Sequence, residues 1–455
     1  MANQSSKNDV QLQSQHQIKN ERQGRLYRML WRWHFYAGLV CIPFILLLSL
    51  TGTIYLFKPQ GEAAIDAKYQ NLTLNHAPRS ASAIANAAIA AVPGSTLRFY
   101  QMPTSESQAI RVMVAKRKVE TLVYVRPDNL EVVKIVPKNG RFMAIAHDIH
   151  GELLMGKTGS LFVEAAACWA IVMVVTGLYL WWPRNASGLG GLIYPRKGKL
   201  FMRDLHAVTG VWVSFFALFL LLTGLPWTEV WGDSFKAVRR ITHTSAVKQD
   251  WTLSRAEEAR ILADETGGAN HMQTNPNYLA GLDDIVASAR KERLAYPVEV
   301  APPNNRNKHW VVRSQSQNRM QRVNIEYDSQ TGLELNRERF EDRHIIDKIT
   351  GIGISVHEGQ LFGWFNQFLG VLTAVGLCTL SVSAFIMWRR RAPDGALGAP
   401  PAIPDQKIGA GIAILIIAFA IFLPVLGVML VIIAAIETLI LRHLPPARKW
   451  LGLTA

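Results

Sequence analysis

Apolar stretches long enough to cross a bilayer recur along this 455-residue chain, and they leave few folds open to it. Inside a bilayer the backbone must satisfy its own hydrogen bonds, which restricts spanning segments to helices and closed barrels. At about 20 apolar residues per helix, the sequence predicts a membrane α-helical bundle of about six transmembrane helices. The expected spans lie near 36–57, 160–182, 206–226 and 364–388, with two more in the run 408–441, which Pro424 interrupts.

Basic residues at the ends of these stretches predict the topology. The net charge is +15, but Lys and Arg cluster where cytoplasmic flanks collect them, so the lipid bilayer and no nucleic acid is the expected partner. The polar leader is too long for a cleaved signal peptide, so the first stretch is interpreted as a span. If the spans alternate, both termini lie in the cytoplasm and two large inserts lie outside. The basic segments are 22–32, 196–203, 389–391 and 442–449.

A histidine-bearing pattern occurs twice and indicates an internal tandem repeat. WHFYAGL at 33–39 matches LHAVTGV at 205–211, which puts His34 in register with His206. HGELLMG at 150–156 matches HEGQLFG at 357–363, so His150 corresponds to His357. A histidine that only caps a helix end or sits at an interface does not need this fixed register.

These four histidines are the candidate ligands of a redox group. Ionisable side chains in or beside spans are costly and therefore mark functional sites. Two imidazoles from different helices can fill both axial positions of a low-spin haem, which suits electron transfer. We expect His34 with His206 near the cytoplasmic face and His150 with His357 near the opposite face, which predicts two haem irons. His147 is the alternative to His150, although Ile354 stands at its place in the second repeat.

Smaller residues near the histidines leave two interpretations open. Gly38 and Gly210 follow His34 and His206 by four residues, on the same helical face. They either leave room for a flat macrocycle or allow close helix contact. Asp204 either orients the imidazole of His206 or only neutralises a neighbouring cation.

The two inserts have the same predicted order of elements. A helix at 80–94 precedes four strand-like runs in the first insert, and a helix at 281–293 precedes four runs in the second. Each insert is therefore expected to hold a small α+β module, while 228–275 is not assigned. The expected segments are a disordered cytoplasmic tail (1–24), spans at 25–57, 147–183, 204–226 and 351–391, external modules at 58–146 and 227–350, a cytoplasmic loop at 184–203, a hairpin at 405–443 and a cytoplasmic tail at 444–455.

Together, the WHxxxG and HxG spans and the module ending in YDSQTGLEL resemble the PepSY-associated transmembrane family over roughly residues 25–390. Members include the inner-membrane reductases of bacterial ferric-siderophore uptake. The resemblance implies a haem-b-binding helix bundle in the bacterial inner membrane with two PepSY-like periplasmic modules. It also implies a transmembrane ferric-chelate reductase whose substrate is a ferric siderophore or another ferric chelate.

The chain has no nucleotide or flavin motif of its own, so electrons are expected from a membrane quinol or a cytoplasmic flavoprotein. The alternative function is a non-enzymatic, membrane-tethered regulator or inhibitor of an extracytoplasmic peptidase, which leaves the paired histidines unexplained. A transporter is disfavoured because acidic residues are lacking in the middle of the spans. Candidate chelate contacts, which a solvated sheet face explains equally well, are Arg111, Lys116, Arg117, Trp310 and Arg313.

Overall fold

The computed structural model describes residues 2–453 apart from 118, 183–188, 245–278, 305–306, 394, 401 and 403–407. Most of the unassigned segment 228–275 therefore lies outside the described residues. The chain forms two compact units. The first unit comprises Met1–Leu50, Gly151–Trp231 and Val371–Ala455, and the second comprises Thr51–His150 and Gly232–Gly370.

Helices dominate the chain on both sides of the strand-rich inserts. They are α1 (Ala2–Leu56), α2 (Lys58–Ile65), α3 (Ala81–Ala91), α4 (Phe142–Glu152), α5 (Gly156–Trp181), α6 (Phe201–Gly224), α7 (Val230–Ile241), α8 (Leu282–Lys291), α9 (Ile345–His357), α10 (Trp364–Arg391), α11 (Ala410–Phe422), α12 (Pro424–Ala435) and α13 (Pro445–Leu451).

Five helical segments within the described residues are long and apolar enough to cross a membrane. The predicted span before Pro424 is not among them, because α11 has only 13 residues, which make about 20 Å of helix against a core of about 30 Å. Pro424 causes this, since proline disfavours helical backbone at the preceding residue, and Leu423 has φ −120° and ψ 82°. The five segments are Gly24–Leu56, Gly156–Trp181, Gly198–Trp227, Trp364–Arg391 and Pro424–His443.

The two C-terminal apolar helices, α11 and α12, fold back on each other as a hairpin. A Cβ added at Gly427 would lie 3.1 Å from the carbonyl oxygen of Ala420, so the backbones approach closely there. Chain segments on both sides of the hairpin reach the same side chain of α1, because Arg32 donates to the carbonyls of Pro400 and Gly452. The hairpin therefore enters and leaves on the same side of the first unit.

Helix α5 is central in the first unit, where it packs against α6 and α12. Its Cys168 and Ile171 are buried in a cluster with Leu225, Leu423 and Leu426. The buried carboxylate of Glu164 accepts hydrogen bonds of 2.9 Å from the backbone N–H groups of two residues at the start of α7, Val230 and Trp231. A carboxylate at that position satisfies free N–H groups and complements the helix dipole.

The N-terminal segment differs from the sequence-based expectation. Residues 1–24 were expected to be a disordered tail, but α1 begins at Ala2 and continues into the first span. The segment contains no proline, has its first glycine at Gly24, and includes six Gln together with Lys7, Lys19 and Arg22. These residues have good helix propensity, so a helix that the span has already nucleated can extend through them.

In the second unit, eight antiparallel strands form one sheet with the order β4-β3-β2-β1-β5-β6-β7-β8. The sequence predicts one small sheet per insert, and the structure joins the two because β1 pairs with β5, with Tyr100 opposite Val300. Such pairing removes two exposed strand edges. The strands are β1 (Thr96–Gln101), β2 (Ile110–Lys116), β3 (Val119–Val125), β4 (Val132–Pro137), β5 (Val298–Ala301), β6 (Trp310–Ser314), β7 (Val323–Tyr327) and β8 (Glu334–Arg339).

Helices α3 and α8 bury a common apolar core against this sheet. Ile84 of α3 and Ile285 of α8 belong to the same cluster as Val112 and Val312 of the central strands. The helices are also linked directly, because the backbone N–H of Ser82 donates to Asp283 at 3.0 Å. A core shared in this way makes the two inserts one folding unit.

Candidate functional site

The structure distributes the four predicted ligand histidines as two pairs, one in each unit. His34 on α1 and His206 on α6 belong to the first unit. His150 on α4 and His357, the last residue of α9, belong to the second unit. The pairing of His150 with His357 stays a prediction.

The imidazoles of His34 and His206 lie next to each other although the two residues are far apart in sequence. Their ring centroids are 6.3 Å apart and the ring planes are at 88° to each other. A histidine nitrogen binds a first-row metal at about 2 Å, so two imidazoles on opposite sides of one metal place their ring centres about 6 Å apart. The observed separation fits a single metal held between them.

The hydrogen bonds of His34 determine which of its nitrogens carries the proton. Nδ1 lies 3.0 Å from the Oγ1 of Thr176 on α5, and that hydroxyl donates its own hydrogen to the carbonyl of Val172 at 2.8 Å. A threonine hydroxyl has one hydrogen, so its oxygen can only accept from the imidazole. Nδ1 of His34 is therefore protonated, and Nε2 carries the lone pair that a metal requires.

His206 has the same tautomer for a different reason. Its Nδ1 lies 3.1 Å from the carbonyl oxygen of Leu380 and 3.1 Å from the Oγ of Ser383, both on α10. A carbonyl oxygen can only accept, so Nδ1 donates and Nε2 is again unprotonated. Each imidazole is oriented by a group on a neighbouring helix, as is usual for metal-ligating histidines. Geometry and protonation therefore both fit a bis-histidine haem.

His150 is held in the second unit in much the same way as His34 in the first. Its Nδ1 lies 3.1 Å from the Oγ1 of Thr51, and a Cβ added at Gly52 would lie 3.0 Å from its Cε1. Thr51 and Gly52, near the end of α1, therefore pack on this imidazole.

His150 and His357 were expected at the start of spans, but they lie at the ends of α4 and α9, which stop before the spans begin. Both spans are entered through a glycine in the left-handed region, since Gly156 and Gly363 have φ of 59°. That backbone conformation favours glycine over other residues. The fixed spacing from histidine to glycine therefore has a backbone cause, and does not depend on room for a macrocycle.

A family model described as the PepSY-associated TM region matches residues 31–391. The matched region covers more than half of the chain and contains all four histidines. The chain belongs to the PepSY-associated transmembrane family. No curated protein matches the chain. Together with its five apolar helices, membership of this family identifies a multi-pass membrane protein.

His147, the alternative ligand in this PepSY-associated chain, has other contacts. Half of its side chain is exposed, and Nδ1 lies 3.3 Å from a carboxylate oxygen of Asp148. Its ring lies against Tyr55, with centroids 5.3 Å apart. His344 accepts a hydrogen bond from the backbone N–H of Ile346 and so caps α9. The choice of His150 over His147 as a ligand stays a prediction.

Asp204 is buried, and among the described residues no hydrogen bond joins its carboxylate to His206. Its carboxylate accepts from Arg196 at 2.6 Å and from Arg203 at 2.9 Å, whereas the Nδ1 of His206 faces α10. Of the two interpretations that the sequence leaves open, the structure supports neutralisation of neighbouring cations.

Of Gly38, Gly177 and Gly210, the tightest contact is at Gly177, which the sequence analysis did not select. A Cβ added at Gly177 would lie 3.1 Å from the Cε1 of His34, which is tighter than most contacts. By contrast, a Cβ at Gly38 would meet Met173 at 3.7 Å, and one at Gly210 would meet Leu380 at 3.6 Å, both ordinary contacts. Gly38 and Gly210 therefore face side chains of neighbouring helices.

This difference gives a matched pair of variants. Gly177→Ala is expected to displace the imidazole of His34. The metal affinity of that site should then fall by about 10-fold or more, as it does for other changes around metal ligands. Gly38→Ala is expected to leave the site intact and serves as the control. Haem content per chain after purification measures both. Equal loss in the two variants would contradict the contact assigned to Gly177.

Two of the candidate chelate contacts have structural roles instead. Trp310 is only 2% exposed and belongs to the core beneath α8. Arg111 pairs with Asp66 at 3.2 Å, a carboxylate that also accepts from Lys134 and Tyr124 at 2.8 Å each. Burial opposes ionisation of Asp66, but these hydrogen bonds outweigh it and lower its pKa below the usual range.

Sequence reasoning missed Thr176 and Ser383, although a signal for them is present. VTGLYLWW at 175–182 can be aligned with VSAFIMWR at 382–389, near the ends of α5 and α10. The alignment places Thr176 opposite Ser383, so each repeat offers a hydroxyl at the same point. A search for hydroxyl residues in register with the histidine repeat would have found them.

Proposed function

We propose that this protein is a haem-containing electron-transfer protein of the bacterial inner membrane that reduces a ferric siderophore or another ferric chelate on the periplasmic side during iron uptake. The observation that carries the proposal is the pair His34 and His206. Their rings lie 6.3 Å apart, and each has its Nδ1 tied to a neighbouring helix. Two imidazoles arranged in this way suit both axial positions of one haem.

In this proposal His34 and His206 would hold one haem b, and His150 and His357 would hold a second. Haem b with two histidine ligands is low spin and exchanges single electrons, so one in each unit would supply a relay between the two membrane faces. The protein's part is to fix the imidazoles. Thr176 and Ser383 do so in the first unit, and Thr51 does so for His150.

The proposed orientation follows from the distribution of charge. Arg389, Arg390 and Arg391 end α10, and Arg196 and Arg203 flank the start of α6. Clusters of this kind mark the cytoplasmic side. Both termini would then be cytoplasmic, because the hairpin of α11 and α12 enters and leaves on the same side of the first unit. The eight-stranded sheet would be periplasmic, formed by two PepSY-like modules of a tandem repeat.

The proposed reaction is the transfer of one electron to chelated Fe(III), which becomes Fe(II). Fe(III) is the harder ion and binds oxygen ligands of a siderophore more tightly, so reduction weakens the chelate and favours release of iron. The electron would come from a membrane quinol or a cytoplasmic flavoprotein.

The test is the visible absorption spectrum of the detergent-purified protein, oxidised and then reduced with dithionite, with haem quantified as the pyridine haemochrome. We expect two haems b per chain with low-spin bands in the reduced state. A preparation grown with ample haem that contains none would contradict the proposal, and the peptidase-regulator function would then explain the chain better. Reoxidation of the reduced protein by a ferric siderophore tests the substrate separately.

A further inference from the structure

The Thr-Gly sequence occurs beside two of the four histidines in nearly the same geometry. Thr176 lies 3.0 Å from the Nδ1 of His34, and Thr51 lies 3.1 Å from the Nδ1 of His150. The glycine that follows each threonine would place a Cβ 3.1 Å or 3.0 Å from the Cε1 of the same ring. We call this arrangement, threonine on Nδ1 and glycine against Cε1, the Thr-Gly clamp.

The clamp occurs in both units and is supplied by different helices. Residues 176–177 of α5 clamp a histidine of the first unit, while residues 51–52 of α1 clamp a histidine of the second. His206 has a related arrangement, with Ser383 and the carbonyl of Leu380 on its Nδ1. Helix capping does not explain these contacts, because Thr176 lies inside α5, where its hydroxyl already bonds to Val172 of the same helix.

We propose that Thr176 and Thr51 are positioning residues that tune the reduction potentials of the two haem sites independently, one threonine for each site. This inference rests on the proposed function. The hydroxyl of Thr176 accepts from Nδ1–H because its own hydrogen is donated to Val172, and we infer the same direction for Thr51. A hydroxyl that accepts from Nδ1–H increases the basicity of the imidazole, which then stabilises ferric over ferrous iron. Loss of that hydroxyl destabilises the ferric state, so the potential of the same site rises. The glycine of the clamp lets the ring approach closely enough for the hydrogen bond to form.

The experiment compares Thr176→Val with Thr51→Val in the full-length, haem-loaded protein. Valine keeps the shape of threonine but cannot accept the hydrogen bond. Redox titration of the visible bands resolves the two haems, and electron paramagnetic resonance of the ferric state reports the ligand field of each. We expect Thr176→Val to raise the potential of the first-unit haem alone and Thr51→Val to raise that of the second-unit haem alone. Thr176→Ser, which restores the hydroxyl, is expected to return the potential to that of the wild type.

Thr379→Val is the matched control, because the hydroxyl of Thr379 donates to Val375 of its own helix at 2.8 Å and the residue is only partly buried. It should leave both potentials unchanged. If the wild type holds two haems and both valine variants have the same potentials as the wild type, the positioning role is overturned and the proposed function is left intact. A shift of both potentials in each variant would also overturn it, since that pattern indicates a general structural change. A wild type without haem would overturn the proposed function together with this inference.

Discussion

Under the proposed function, replacement of His206 by alanine is expected to remove the haem of the first unit and to leave that of the second. The ring centroids of His206 and His34 are 6.3 Å apart. Loss of one of two axial ligands leaves a site that cannot hold low-spin haem. Pyridine-haemochrome quantification should therefore show one haem per chain in place of two. Reduction of a periplasmic ferric chelate by electrons supplied on the cytoplasmic side should fall to the background rate.

The complementary variant is His150→Ala, which is expected to remove the other haem. His147→Ala is its control, because the side chain of His147 is half exposed and contacts Asp148. The control should keep both haems. Retention of both haems in His206→Ala would disprove the pairing, whereas loss of a haem in His147→Ala would make His147 the ligand in place of His150.

The second large effect is expected on stability, from the ion pair between Arg239 of α7 and Asp347 of α9. The side chains are 3% and 2% exposed, and the guanidinium donates to both carboxylate oxygens, at 2.7 and 2.9 Å. Removing one partner of a buried pair leaves an uncompensated charge and costs about 3–5 kcal/mol. We expect Asp347→Asn to destabilise the second unit by that amount.

Thermal unfolding in detergent, followed by tryptophan fluorescence, measures this change. A loss of about 3–5 kcal/mol corresponds to a Tm lower by about 6–20 °C for a unit of this size. Glu341→Gln is the matched control, since Glu341 pairs with Arg339 at 3.4 Å on the surface, where the side chains are 71% and 55% exposed. Exposed pairs contribute at most about 1 kcal/mol. Similar Tm values for Asp347→Asn and Glu341→Gln would show that the buried pair does not hold α7 and α9 together.

Local patterns in the sequence determined the membrane class, four of the spans and the register of the histidines. Hydrophobic length is a local property, so the spans that contain His34 and His206 could be located without a fold. The strand-forming runs were equally local, and each lies on a strand of the sheet. The C-terminal hairpin was harder to predict. A proline shows where a helix breaks, but composition does not show that the helix before it has only 13 residues.

Only the tertiary structure decided how distant elements meet. The pairing of β1 with β5 joins two strand edges that are more than 190 residues apart in the sequence, and the residues of neither strand indicate which strand it will pair with. The clamp residues Thr176 and Thr51 lie in apolar stretches of α5 and α1, and only the packing of the helices places an imidazole nitrogen about 3 Å from each hydroxyl. Likewise, the ring separation of His34 and His206 follows from the packing of α1, α5, α6 and α10. The sequence determined which residues are able to bind a metal, because that ability depends on side-chain chemistry. The structure decided which of them face each other, because that depends on packing between elements remote in the chain.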